Sequence, residues 1–237
     1  MTRFAHVSLI ALLCAAAAEP AWAQGGYARS VAAAGDALFV AEPFNIARPG
    51  TVYVYGRDGT GSWVERAQLH GPESRPGDRF GRSVSASGDR LLIGHPDRAE
   101  GRGAAYIFER RNDQWVRGAE LTPSQGAAGD SAGVTVALGR DLAVLAAPGG
   151  RAAFVFRRNA QGEWQQEARL QPDDGAAGDR FGAAIAIDGD RIVVGAPGRA
   201  GGAGGVHLFT RVGTTWQPSA AIEARTAGQN AALGSSV

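Results

Sequence analysis

Residues 129–133 read Gly-Asp-Ser-Ala-Gly and fit G-x-S-x-G, the pattern that presents a serine nucleophile on a sharp strand-to-helix turn. Such a serine needs a base. Beyond the N-terminal leader the histidines are His70, His95 and His207, and none is close to another in the paired spacing of a metal site. The run GRAGGAGG, Gly198 to Gly205, lacks the Lys-Ser/Thr and the following helix that a phosphate loop requires, so it reads as a flexible loop. Asp188 and Asp190 flank a glycine and read as turn formers. Register decides Ser131: its five-residue slot is filled by GDRFG at 77–81 and again at 178–182, with no helical pattern after any of them. Ser131 is therefore read as a turn residue, and the repetition itself becomes the main signal.

Composition bounds the molecule before that repetition is used. Arg3, the apolar run from Val7 to Ala18 and the Ala21-Trp22-Ala23 sequence form a secretory leader over residues 1–23, with cleavage expected near Ala23/Gln24. The expected destination is secreted, periplasmic or cell-surface, and no later stretch reaches transmembrane length. Cys14, the single cysteine, lies inside the leader, so disulfides, thiolate metal sites and a cysteine nucleophile are excluded from the mature chain. All 24 basic residues are arginine, scattered among 23 acids for a net charge of +1. No basic stripe for nucleic acid results.

Aligning on one dipeptide places Tyr27-Ala28, Phe80-Gly81, Ala132-Gly133, Phe181-Gly182 and Leu233-Gly234 in register, at steps of 53, 52, 49 and 52. The repeats run 27–79, 80–131, 132–180 and 181–232, with a fifth begun at 233–237. From the first residue of the pair to a proline (Pro43, Pro96, Pro148, Pro197) is always 16 positions, and from a tryptophan (Trp63, Trp115, Trp164, Trp216) to the next pair is always 17. Length varies only between proline and tryptophan. Fixed packing blocks separated by tolerant loops have this form.

Each repeat predicts four short strands. A Gly-Asp dipeptide (Gly35-Asp36, Gly88-Asp89, Gly189-Asp190) turns the first into the second. The second is continuously apolar, as in Leu91 to Ile93, which predicts burial on both faces. The third is aromatic and aliphatic, and the fourth carries the tryptophan and, six residues on, Leu69, Leu121, Leu170 or Ile222. Four-stranded units of about fifty residues predict an all-β propeller over 24–237, in which stacked blades bury what one sheet alone exposes. Four complete repeats and a fragment fit either a closed four-bladed ring or part of a seven-bladed one.

Phe181-Gly182 followed by Gly195-Ala196-Pro197 resembles the FG-GAP repeat of integrin-α-type propellers, and the surrounding GDRFG, GD turn and tryptophan are similar to its bacterial secreted variety. The first and third repeats depart, with Ala41-Glu42-Pro43 and Ala146-Ala147-Pro148 in place of Gly-Ala-Pro. Calcium-binding members carry a D-x-D-x-D-G loop between the first two strands. Here that connection is a Gly-Asp turn, so no calcium and no other cofactor or metal is expected. The resemblance implies a non-enzymatic module for protein or glycan binding and adhesion at the cell envelope. A hydrolase or lyase on the same scaffold would need an acid/base pair drawn from different blades, and a third reading is a fragment of a larger FG-GAP protein without independent activity. The variable connections and the inter-blade links emerge at one end of such blades, which makes Arg48, Asp97, Arg98, Arg102 and Arg199 the candidate ligand contacts.

Overall fold

Each repeat becomes one sheet. The computed structural model describes residues 26–45, 47–223 and 230–237, so the expected leader over 1–23 lies outside the described residues. The first blade consists of β1 (Ser30–Ala34), β2 (Ala37–Glu42), β3 (Thr51–Arg57) and β4 (Trp63–Leu69). The second consists of β5 (Val84–Ser87), β6 (Arg90–His95), β7 (Ala104–Arg111) and β8 (Gln114–Leu121). β9 (Thr135–Leu138), β10 (Leu142–Ala147), β11 (Ala152–Arg158) and β12 (Trp164–Leu170) form the third. The fourth is β13 (Ile185–Asp188), β14 (Arg191–Ala196), β15 (Gly205–Val212) and β16 (Thr215–Glu223). Strands follow chain order in every sheet, each antiparallel to the next.

Local chemistry explains the hairpins. Gly35, Gly88 and Gly189 take φ of 57°, 58° and 56° at the first turn position, where a two-residue connection demands a left-handed residue. In the third blade Gly139 to Asp141 replace that turn with a longer one, closed by the Gly139 amide on the Leu142 carbonyl. The third and fourth strands shift register at the same place in each blade, at Val54/Tyr55, Tyr106/Phe108, Val155/Phe156 and Leu208/Phe209. A bulge at this point increases the twist that lets flat faces stack radially.

The core lies between blades, not within them. Leu91 and Ile93 pack toward the first blade beside Phe39, Val52 and Val54, whereas Leu92 between them packs toward Val136 and Leu145 of the third. Alternating sides of β6 therefore serve two interfaces, which is why the strand is apolar throughout. A third cluster joins Val144 and Val155 to Phe181, Ile192 and Val194 of the fourth blade.

The innermost strands β1, β5, β9 and β13 stand side by side, and hydroxyls stitch their free edges. The Val84, Val136 and Leu138 amides donate to Ser30, Ser83 and Ser85 Oγ at 3.0, 3.1 and 3.0 Å. At the lateral ends of the series Tyr27 is 44% exposed and Ile222 59%. Ile222 thus departs from Leu69, Leu121 and Leu170, which are buried under a following blade.

Candidate functional site

The two halves of the repeated motif meet across blade boundaries. A Cβ on Gly94 would stand 2.0 Å from the Gly133 carbonyl oxygen, and one on Gly195 would stand 1.9 Å from that of Gly234. The first glycine of each Gly-x-Pro slot is the seat for the next repeat's Phe-Gly glycine. Where the seat is alanine the approach is looser: Gly182 faces Ala146 and Gly81 faces Ala41. Phe80 is fully buried against His95, Tyr106 and Phe108, and Phe181 is buried against His207 and Phe209.

This junction carries the loop end of the blades. In the second blade Asp97 to Gly103 coil through a left-handed turn, with Ala99 and Glu100 at φ of 52° and 60°. Gly198 to Gly204 in the fourth repeat the form. Their Gly202 amide donates to Gly198 at 3.1 Å and the Gly204 amide to Arg199 at 2.9 Å. The glycine-rich segment is therefore a hydrogen-bonded turn. The end of each turn is tied to the next repeat by a parallel bridge, Gly103 to Ala132 and Gly204 to Leu233.

Three of the five candidate contacts are engaged internally. Arg98 donates from Nε to the Tyr106 hydroxyl at 3.2 Å and from a terminal nitrogen to Glu73 at 3.1 Å. Arg199 binds Asp174 through both terminal nitrogens, at 2.9 and 2.6 Å, and Glu223 through Nε at 2.9 Å. Glu73 and Asp174 both stand seven residues before the aromatic of their pair, so the clamp is a repeat feature. Asp97 holds Arg79 in a bidentate pair. Arg48 and Arg102 remain exposed, and among the described residues neither side chain has a hydrogen-bond partner. All five lie on the loop end.

The other candidates separate. Ser131 has φ of 56°, but so do Arg79 (54°) and Arg180 (56°) in the same slot, so the strain belongs to the start of each blade. Its Oγ reaches only the Gly129 carbonyl, at 3.5 Å. His95 and His207 are buried, as core substitutions should be. Burial holds the His95 imidazole below its ordinary range despite Asp78 at 3.7 Å, and burial with the nearby Arg199 charge does the same to His207. His70 is exposed, with Nδ1 3.4 Å from the Thr51 hydroxyl. Asp188 and Asp190 are exposed at their turn, and among the described residues no three His, Cys, Asp or Glu side chains gather to hold a metal. No helix among them is long and apolar enough to cross a membrane.

Single-residue inspection passed over two groups. Glu42 takes the slot of His95 and is buried, accepting from the Tyr53 hydroxyl at 2.8 Å and from Asn45 at 3.3 Å. Arg82 is half-buried with its guanidinium 5.8 Å from the Phe44 ring centre. Register held a signal for the second, since Arg29 and Arg82 occupy the same repeat position.

A family model described as FG-GAP repeat matches residues 63–108 and 164–209. No curated protein sequence matches. Among solved structures, a Lactobacillus plantarum protein superposes with a TM-score of 0.57 at 11% identity, over 82% of this chain and 55% of its own. A Bacteroides uniformis protein, provisionally assigned as a 6-phosphogluconolactonase, gives 0.58 at 13% over 81% and 55%. A functionally unknown protein from Desulfotomaculum acetoxidans gives 0.54 at 14% over 83% and 56%. These likenesses show the fold, and the chain spans little more than half the length of the structures it matches.

Proposed function

We propose that this chain, whose repeats are FG-GAP repeats on a β-propeller-like scaffold, is an exported, non-enzymatic binding module that contacts protein or glycan at the cell envelope. One observation carries the reading: the connections between the second and third strands, long in blades one, two and four and shortened in the third, emerge together at the end of the blades where the Gly–Gly junctions and arginine clamps of the second and fourth repeats lie. A rigid base under variable loops is how folds present binding residues without altering the scaffold. Arg48 and Arg102 are the contacts offered to a ligand, while Arg98, Asp97 and Arg199 hold the loops that display them. The lateral faces at Tyr27 and Ile222 suit packing against further blades or another chain.

Protein and glycan arrays probed with the purified chain test this. A ligand retained by the wild type and lost when Arg48 and Arg102 are both reversed to Glu supports the module. Unchanged capture by that variant would overturn the loop-end assignment. Turnover of an ester or polysaccharide that vanishes in Ser131→Ala would replace the module with an enzyme.

A further inference from the structure

Charge is unevenly spread where the innermost strands begin. The position two residues beyond the first of each aligned pair is Arg29, Arg82, Val134 and Ala183 in the four blades, so two arginines stand at adjacent blades and none at the other two. β1 and β5, which follow Arg29 and Arg82, are neighbours. Arg82 is half-buried, and among the described residues its side chain meets the Phe44 ring but no carboxylate within 4.0 Å. Other half-buried arginines, Arg79, Arg98, Arg110, Arg199 and Arg211, each hold one, and Arg158 joins Arg82 in lacking one among the described residues. Asp97 is already taken by Arg79 on both oxygens. Burial, and after it the charges of Arg29 and Arg79, weaken the hold of the Arg82 guanidinium on its proton. Arg29 and Arg79 thus stand near enough to act on Arg82, and the carboxylate that Arg79 holds is committed to it. A desolvated cation beside like charges destabilises the fold unless an anion completes the set.

We infer that Arg82 and Arg29, beside the exposed Phe44, form an oxyanion-binding site between the first and second blades, for the carboxylate or sulfate of an acidic saccharide or a free inorganic oxyanion. Guanidinium groups present planar forks of N–H donors that match such oxygens, and the site lies at the loop end from which Phe44 and Arg48 project. The inference rests on the binding-module reading and names the chemistry of its ligand.

The test is thermal unfolding of the full chain in sulfate, in phosphate and in an oligouronate, each against chloride at equal ionic strength. The expected result is a rise in midpoint with at least one oxyanion. Arg82→Gln should weaken that binding by about tenfold or more, and Arg29→Gln should weaken it less, as expected for losing charge-assisted hydrogen bonds. Arg140→Gln, at the opposite end of the blades, should leave it unchanged. A response to sulfate alone assigns a free anion, and a stronger response to the oligouronate assigns the saccharide. No response in the wild type, or an equal one in Arg82→Gln, overturns the site. Array capture of a ligand that Arg82→Gln preserves would overturn it too, leaving the module reading in place. Oxyanion binding lost in Arg82→Gln without any array ligand would uphold the site and count against the module.

Discussion

Blades two and four differ from blades one and three at the loop end while sharing one sheet topology. The former carry Phe80 and Phe181, a left-handed turn of the same form, and an arginine clamp to Glu73 or Asp174. In the first blade Tyr27 replaces the phenylalanine and donates or accepts with Tyr55 at 2.8 Å, and Asn45 stands where the clamp arginine would. In the third Ala132 replaces the aromatic and the loop has shrunk to a turn closed by the Arg151 amide on the Pro148 carbonyl. Family-model matches fall on windows ending in the third strands of blades two and four. Each window starts in the preceding blade's tryptophan strand, because the recognised pattern describes a junction between blades. Strand pairing and inter-blade burial suffice to build a blade, and the clamp is an addition that orders its loop.

Truncating the aromatic tests this contrast most severely. Phe80→Ala and Phe181→Ala should each lose about 3–5 kcal/mol in urea unfolding, the range for a fully buried ring. Ala132→Phe should not be the reverse: its neighbours have closed around a small side chain, and overpacking should destabilise by about 1–3 kcal/mol. A gain in stability from Ala132→Phe would show that the third blade retains the unused pocket.

Glu167 ties blade three to blade four and comes next in expected effect. It accepts from Arg157 and Arg211 and from Trp216 Nε1, each at 3.0 Å. Burial pushes its carboxyl up, and the three donors outweigh that to hold it below the ordinary carboxylate range. Its contribution is therefore complete above the unfolded value of about 4.3 and is lost as pH falls through the lower folded value. Glu167→Gln should destabilise by about 2 kcal/mol at neutral pH and flatten the acid limb of a stability profile.

His95 should add a separate, milder limb. Its folded value lies below the unfolded one, so the unfolded chain binds the proton first and stability falls once pH drops below about 6.5. His95→Phe should remove much of the slope between about pH 7 and 5, measured by urea midpoints across that interval. The smallest contrast is between a clamp and an unclamped loop arginine: Arg199→Ala should cost about 1–3 kcal/mol through its charged hydrogen bonds, and exposed Arg151→Ala within about 0.5 kcal/mol. Equal losses would mean that the clamp contributes nothing beyond an ordinary surface contact.

Much of the architecture was legible because a repeat writes the same physics several times. Constant spacing from pair to proline and from tryptophan to pair located the sheets, and the apolar run Leu91 to Ile93 announced a strand with two buried sides. The loop-end residues were harder. Arg98 and Arg199 look like free cations in the sequence, since the acids that hold them, Glu73 and Asp174, lie 25 residues away along the chain. Arg82 looks ordinary because its half-burial beside the Phe44 ring is set by a residue from the preceding repeat.

The sequence by itself determined the repeating unit, its strand count and its Gly-Asp turns, because these follow from local periodicity and turn chemistry, whereas the glycines at which blades touch emerged only from packing. Tertiary structure alone decided which arginines are satisfied and which remain available, and which apolar faces stay uncovered, as at Ile222. Charge pairing and burial are properties of neighbours in space, and along this chain those neighbours come from another strand, another link or another blade.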